Sequence, residues 1–271
     1  MSSNSPKDIL TSYGFSPSKS LGQNFLINKG VIDKMIQSAD IKPDDTIIEI
    51  GPGLGVITEE LAKKAKTVIA VEKDRKMAEI LTKRFASSNN ITIIQEDILK
   101  LSHQIPTEYK VVANLPYNIA AAIIRQFLEN PPGSKQPELM VLMVQKEVGQ
   151  RICATPPDMS ILAVSVQIYS KPEIVGYVSA GSFWPMPKVD SAIIKITDIK
   201  TPGIDAKLFF KIVKAGFSQP RKQIGGNLSK ILKTSKQEIS SLLLGLGLKP
   251  EQRAETLSIK NWLDIVNVFE K

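Results

Sequence analysis

Thr46-Ile-Ile-Glu-Ile-Gly-Pro-Gly-Leu-Gly-Val-Ile-Thr58 is the stretch whose reading decides the fold. A short apolar run, Ile47 to Ile50, stops at Gly51, and glycines return at 53 and 55. Helical spacing follows, with Val56, Ile57 and Leu61 on one side and Glu59, Glu60, Lys63 and Lys64 on the other. Strand, glycine turn and helix together are the opening of a nucleotide-binding βαβ unit. Glycine suits the turn because the backbone must bend tightly and let a ligand touch it with no Cβ in the way. Gly-x-Gly-x-Gly differs from the dinucleotide fingerprint, whose third glycine comes one residue later. Taken alone, the motif reads equally well as a turn tightened for packing.

Outward from this stretch, β and α segments alternate. Strands are expected at 67–71, 91–94, 110–113 and 139–144, with helices at about 75–85 and 120–129 between them. Such alternation implies a parallel sheet with helices on both faces, and ligands in that architecture sit at the carboxyl ends of the strands. Glu72, Asp97 and Asn114 all fall at those ends. Glu72 follows Gly51 at the distance where an acidic residue meets ribose hydroxyls in nucleotide-binding folds; the plainer reading is a surface or capping carboxylate. A helix at 160–169 precedes strand-like runs at 173–178 and 191–197, whose short connection suggests an antiparallel hairpin closing the sheet. Upstream, residues 1–19 are polar and turn-rich and are expected to be mobile. Gln23-Asn24-Phe25-Leu26 leads into a short helix at about 31–38, with Asn28 as its cap.

Past Thr201-Pro-Gly203 the strand signals cease, and residues 205–271 read as four or five short helices. The expected domains are therefore 1–199 and 200–271. Charge divides at the same place. Residues 1–199 hold 22 Lys+Arg against 21 Asp+Glu, whereas residues 200–271 hold 13 against 6, so nearly all of the net +8 lies in the last quarter. A basic module on a neutral one suits a polyanion-binding protein, since neutralising phosphates drives most of that affinity; a solvated basic surface is the simpler alternative. With one Cys (Cys153) and one His (His103), both read as structural, an intramolecular disulfide is ruled out and a His/Cys zinc site has too few ligands. No metal is expected. No apolar run is long enough to cross a bilayer, no signal-peptide pattern opens the chain, and a cytoplasmic location is expected.

Asn114-Leu-Pro-Tyr117 is the sharpest chemical signal. A carboxamide, a proline and an aromatic ring at a strand end suit recognition of an exocyclic amine on a planar base. The Asn114 side-chain oxygen and a nearby backbone carbonyl can accept hydrogen bonds from an amino group. That keeps the nitrogen lone pair free for attack on an electrophilic methyl. Pro116 fixes φ and stiffens the loop, and Tyr117 offers a ring for stacking. No strong base is required, because the nitrogen becomes acidic once alkylated, and catalysis rests on alignment.

On these residues the chain resembles the ribosomal RNA adenine N6-dimethyltransferases, and among them the bacterial small-subunit branch. Leu21-Gly-Gln-Asn-Phe-Leu26 looks like the family's N-terminal cofactor motif, Glu49-Ile-Gly-Pro-Gly-Leu-Gly55 its glycine motif, and Asn114-Leu-Pro-Tyr117 its catalytic loop. Phe183-x-Pro-x-Pro-x-Val-x-Ser191 resembles a further block, and Phe217-Ser-Gln219, Arg221-Lys222 and Arg253-Ala-Glu-Thr-Leu257 resemble the C-terminal module. The resemblance implies a Rossmann-like sheet with helices on both faces plus a small all-α domain, with S-adenosyl-L-methionine as cofactor. It also implies dimethylation of two adjacent adenines of small-subunit (16S) rRNA, by an enzyme expected to be a monomer. By the same resemblance Asn24, Leu26, Gly51, Gly53, Glu72, Asp97 and Asn114 contact the cofactor, with Glu96 beside Asp97. Asn114, Leu115, Pro116 and Tyr117 hold the adenine, and Phe183 sandwiches it against the tyrosine. Arg221 and Lys222 grip RNA. The resemblance sets the carboxylates Glu49, Glu72 and Asp97 beside a sulfonium.

The basic segment departs from the family pattern. Where the family reads Gln-Arg-Arg-Lys and then Leu-Arg-Asn, this chain has Gln219-Pro-Arg-Lys222 and Ile224-Gly-Gly-Asn227, two positive charges fewer. The rivals are a DNA adenine methyltransferase, against which Leu115 argues, a large-subunit rRNA methylase, and a non-catalytic ribosome-assembly factor.

Overall fold

A computed structural model describes residues 23–101, 105–132 and 135–269. Residues 1–22, including Lys19 and the Leu21-Gly22 start of the first motif, and His103 lie outside the described residues. The order of elements is β1 (Phe25–Leu26), α1 (Lys29–Ser38), β2 (Thr46–Ile50), α2 (Val56–Ala62), β3 (Thr67–Glu72), α3 (Arg75–Arg84), β4 (Ile91–Gln95), β5 (Lys110–Asn114), α4 (Ala120–Glu129), β6 (Leu139–Gln145) and α5 (Lys146–Ile152). Then come α6 (Ile161–Gln167), β7 (Lys171–Val178), β8 (Phe183–Trp184), β9 (Ser191–Thr197), α7 (Ala206–Gly216), α8 (Ile224–Leu232), α9 (Lys236–Gly245) and α10 (Ile259–Phe269).

Seven strands form one sheet in the order β4-β3-β2-β5-β6-β9-β7. The first five are mutually parallel, while β9 runs antiparallel to both β6 and β7. The interior strands are apolar nearly throughout because helices and sheet cover both of their faces. Val111, Val112 and Ala113 of β5 and Met140 to Val144 of β6 are fully buried. The edge strands β4 and β7 alternate between covered and open positions. Pro172, which lacks an N–H, sits on β7, where an edge strand tolerates it. The expected hairpin is present as β7 and β9, but the later strand occupies the inner place, between β6 and β7.

Helix α1 begins at Asn28, whose side chain accepts from the Val31 N–H at 3.4 Å and donates from Nδ2 to Ser182 Oγ at 3.2 Å. Ile32, Met35 and Ile36 of α1 pack with Ile47, Val112, Val141 and Ile193 of the sheet. A second cluster, Phe25, Leu54, Met77, Ile80, Leu81 and Phe85, fastens α3 beside the glycine turn. Two elements lacked a periodic signal. The β1–β8 ribbon is two residues a strand, with Phe25 opposite Trp184 and Leu26 opposite Phe183. Helix α5 starts at the very end of β6, and its Gly149 lies where a Cβ would come within 2.9 Å of Ala192 on β9.

Residue contacts divide the chain into two units, one made of 1–149 and 171–199, the other of 150–170 and 200–271. The division falls at 149/150, 170/171 and 199/200, and the expected domains are 1–199 and 200–271. The excursion 150–170, expected in the first domain, clusters instead with the C-terminal helices. Its helix α6 buries Ala163, Val164 and Val166 and packs on α7. The excursion adds only Arg151 and Asp158, so the charge asymmetry is unaffected. Within the helical unit Trp262 is buried and stacks on Phe217 at 5.6 Å. Asp205 caps α7, accepting from the Lys207 and Leu208 N–H groups at 2.8 and 3.2 Å.

Gly55 adopts φ +77°, and a Cβ there would lie 2.6 Å from the Phe85 ring and 3.0 Å from Leu81. Gly55→Ala therefore combines left-handed strain with a core clash. It is expected to destabilise by about 1–3 kcal/mol, read as a lowered urea midpoint. Gly203→Ala, with nothing within 4 Å, is expected to stay within about 0.5 kcal/mol of the parent.

Candidate active site

From β2 the sheet grows one way to β3 and β4 and the other way to β5 and β6. Where the order reverses, the loops leaving two adjacent parallel strands diverge, and a crevice opens at their carboxyl ends. Gly51 follows β2 and Asn114 ends β5, so the glycine turn and the catalytic-type loop face each other across this point. A cavity of about 240 Å³ occupies it. Its lining includes Asn24, Leu26, Gly51, Gly53, Glu72, Asp97, Asn114, Leu115, Pro116 and Tyr117.

The turn itself is left-handed at three points, with φ +63° at Gly51, +55° at Gly53 and +77° at Gly55. These glycines serve two purposes. Gly51 and Gly53 line the cavity, and Gly55 does not: it is the point where α2 meets Phe85 and Leu81 of the core. Behind the turn, Glu49 and Thr58 tie β2 to α2 by a hydroxyl-to-carboxyl hydrogen bond of 2.5 Å. Glu49 is 1% exposed and does not line the cavity. Burial pushes its carboxyl up to about 8, and the nearby Glu72 adds to the rise. At neutral pH Glu49 is protonated and is no counter-charge to a bound cation, which corrects the expectation that all three carboxylates surround one.

Glu72, by contrast, does line the cavity. It ends β3 inside the cavity and accepts from the Asp74 N–H at 2.8 Å, with the Gly53 and Lys73 N–H groups also directed at it. Burial raises it to about 7, and those N–H groups oppose the rise. Asp97 behaves differently. Lys73 Nζ lies 2.8 Å away and holds its carboxyl below the ordinary value, while Oδ1 accepts from the Leu99 N–H at 3.1 Å. Sequence spacing missed three participants: Lys73, which pairs with Asp97 at the rim, and Ile98 and Ile123, which supply apolar wall. Ile98 directly follows Asp97, which was the available signal.

Asn114 is held by its amide nitrogen, which donates to the Asn24 carbonyl at 3.2 Å. A carbonyl can only accept, so the side-chain orientation is determined: Nδ2 faces Asn24 and Oδ1 faces away. That Oδ1 is buried and has no hydrogen-bond partner. An orphaned buried acceptor costs about 1–3 kcal/mol, and a ligand N–H donor would satisfy it. The Leu115 N–H donates to the Met143 carbonyl at 3.1 Å, which continues the β5–β6 ladder one residue past the strand and fixes the loop. Tyr117 is positioned by a hydrogen bond of 2.6 Å between its hydroxyl and Ser191 Oγ. Burial raises the phenol above its ordinary value, so it remains neutral. An unmet acceptor in the same loop as an anchored aromatic ring fits a planar base bearing an amino group.

Phe183 is the expected site residue that the cavity does not include. It is 3% exposed and sits in the core cluster with Leu26, Ile32 and Met35. On β8 it sits opposite Leu26, which lines the cavity.

The family model described as ribosomal RNA adenine dimethylase matches residues 14–271. The chain belongs to this family. It is 47% identical over 265 residues to a protein of Dehalococcoides mccartyi called ribosomal RNA small subunit methyltransferase A, covering 94% of this chain and 89% of that one. It is 41% identical over 282 residues to the protein of the same name from Bacillus cytotoxicus, covering 98% and 96%. Among solved structures, a dimethyladenosine transferase from Plasmodium falciparum superposes with TM-score 0.78 at 28% identity, over 91% of this chain and 97% of that one. The 23S rRNA methyltransferase ErmE superposes with TM-score 0.75 at 25% identity, over 92% and 100%.

In this dimethylase the expected RNA-gripping pair, Arg221 and Lys222, lies in the helical unit, exposed in the turn between α7 and α8. The turn is built around buried Asn227, whose Nδ2 donates to the carbonyls of Gly216 at 2.7 Å and Gln219 at 3.0 Å. Gly225, in the segment that departs from the family pattern, packs where a Cβ would lie 3.2 Å from the Pro250 carbonyl. No group of three His, Cys, Asp or Glu among the described residues is placed to hold a metal.

Glu49 gives a pH signature. Its folded pKa of about 8 exceeds the unfolded value near 4.5, so the folded state holds the extra proton and stability declines as pH rises between those values. Glu49→Gln keeps an acceptor for Thr58 and cannot ionise. The gain in Tm over the parent is expected to be small at about pH 5 and to widen by about pH 8.5. A gap independent of pH would contradict a protonated Glu49.

Proposed function

We propose that this enzyme transfers methyl groups from S-adenosyl-L-methionine to N6 of two adjacent adenines in small-subunit (16S) rRNA, giving N6-dimethyladenosines. The observation that carries the reading is Asn114: a buried amide oxygen with no partner, at the strand end across from the glycine turn. The small-subunit assignment is supported by 39–47% identity to relatives named for that subunit, against 25% to the 23S enzyme.

Cavity chemistry fits the cofactor. Glu72 offers carboxylate oxygens to ribose hydroxyls, Asp97 with Ile98 and Ile123 offers a polar edge and apolar walls to an adenine, and Gly51 and Gly53 leave the backbone bare. When bound, the cofactor supplies an electrophilic methyl carried on a sulfonium. The chain's own residues do the rest. Asn114 Oδ1 accepts from the target amine and keeps its lone pair out of the ring plane, while Tyr117, anchored by Ser191, gives the base a stacking face. The amine loses its proton to water after alkylation. Orienting the reactants is the main catalytic device, and the base reaches the cavity by leaving its stack. The basic helical unit, with Arg221 and Lys222, grips the folded RNA by its phosphates and shape.

Two measurements test this. Asn114→Ala is expected to cut labelled-methyl incorporation into under-methylated small subunits by at least about 100-fold, with RNA affinity retained. No N6-dimethyladenosine from the parent enzyme would overturn the assignment itself. Cofactor affinity is expected to fall about tenfold per pH unit below about pH 7, as Glu72 takes up a proton. In Glu72→Gln calorimetry should show weaker binding that no longer varies over this range.

A further inference from the structure

Gly53 and Gly55 leave the backbone of the turn bare, and for the same reason they leave it conformationally free. Its shape has to be held from outside. Arg84, the last residue of α3, is a side chain that reaches it. Its Nη1 donates to the Leu54 carbonyl, between the two glycines, and its Nη2 donates to Glu59 Oε2 on α2 at 2.7 Å. The guanidinium carbon lies 5.2 Å from the centroid of the Phe85 ring, against which Gly55 packs. Arg84 thus joins the end of α3 to the turn and to the helix that leaves it. The plainer role for a basic residue here is to complement the α3 dipole, a role Lys83 beside it also fits. A dipole needs only a charge near the helix end; it does not call for a guanidinium bonded to a carbonyl 30 residues upstream.

We propose that Arg84 is a positioning residue for the cofactor, holding the glycine turn in the shape the cavity needs. The inference rests on the S-adenosyl-L-methionine reading of that cavity. Neither Arg84 nor Glu59 lines the cavity, whereas Gly53 and Leu54 do. Gly53 also directs its N–H at Glu72, the carboxylate assigned to the ribose. One peptide bond joins Gly53 to Leu54, so a turn that shifts at Leu54 carries the bare Gly53 backbone and its N–H with it. A guanidinium suits the task because its donors form a rigid fork, one arm on the carbonyl and the other on the carboxylate. An ammonium has no such fork. The Arg84 side chain is 28% exposed and that of Glu59 is 49% exposed, so their ion pair alone adds little stability. Its use is to aim the other arm at Leu54.

The test uses the full-length enzyme. Arg84→Ala is expected to raise the Kd for S-adenosyl-L-methionine roughly five- to tenfold. KM for under-methylated small subunits, and kcat at saturating cofactor, are expected to change little. Amide hydrogen exchange at Gly53 and Gly55 in the free enzyme is expected to quicken. Arg84→Lys, which keeps the charge without the fork, is expected to recover only part of the affinity. Lys83→Ala removes one charge from the same helix end and is expected to bind the cofactor as the parent does. Parental affinity in Arg84→Lys, or in an Arg84→Ala that thermal unfolding shows to be folded, would overturn the proposal. So would equal weakening in Lys83→Ala, which would make the effect one of net charge. Failure of the parent enzyme to bind S-adenosyl-L-methionine would instead overturn the reading on which the proposal rests.

Discussion

The amide nitrogen of Asn114, donating to the Asn24 carbonyl, is the interaction on which the site depends. One bond settles two things. It fixes the extended segment before α1 across the end of β5, so that Asn24 and Leu26 become wall. It also leaves the amide oxygen buried in a residue of the cavity lining, with no protein donor. An unmet buried acceptor is a standing cost of folding, and the fold bears it because the neighbouring bonds leave the side chain no alternative. The Leu115 N–H is taken by Met143 and the Asn24 carbonyl by Nδ2. A donor brought by a ligand is the remaining way to relieve it. The acceptor is thus held in place by bonds at the ends of the strands.

The three acids of the neighbourhood illustrate how position governs charge. Glu49 lies within β2, Glu72 ends β3 and Asp97 follows β4, and their ionisation differs because their surroundings do. Glu49 is buried beside a hydroxyl, Glu72 has backbone N–H groups and lines the cavity, and Asp97 has Lys73. The sequence of environments runs from protonated through half-ionised to fully charged. Glu49 holds the turn's shape, Asp97 is neutralised by its own partner, and Glu72 is left as the group whose charge a cationic ligand can alter.

Much of this was legible in the residues, and the misses have physical reasons. Apolar runs followed by Gly51, Glu72, Asp97 and Asn114 placed those side chains at strand ends, because in a parallel sheet the polar residue that ends a buried strand emerges at the ligand side. The helix cap at Asn28 was readable from its type and place. The packing of Phe183 in the core cluster with Leu26 and Met35 was not, since an aromatic ring in a short strand gives no period. Nor was the chemistry of Glu49, because a strand's alternation shows which face a residue takes and not whether a hydroxyl is waiting there. The two-residue β1–β8 ribbon was too short for any period. Residues 150–170 look like a continuation of the sheet domain, and only the mating of the α6 apolar face with α7 assigns them elsewhere.

The placement of β9 between β6 and β7 bears on how the enzyme is made. Translation delivers β6, then the excursion through the helical unit, then β7, and only afterwards the strand that belongs between them. Until Thr197 has emerged, the flank of β6 has no neighbour on that side, and Ser191, which steadies Tyr117, does not yet exist. A ribosome making this chain therefore carries a half-built sheet through most of the polypeptide's length. The loop carrying Tyr117 gains its Ser191 anchor only when the last strand enters an interior slot, while the helical residues 200–271 are still to be made.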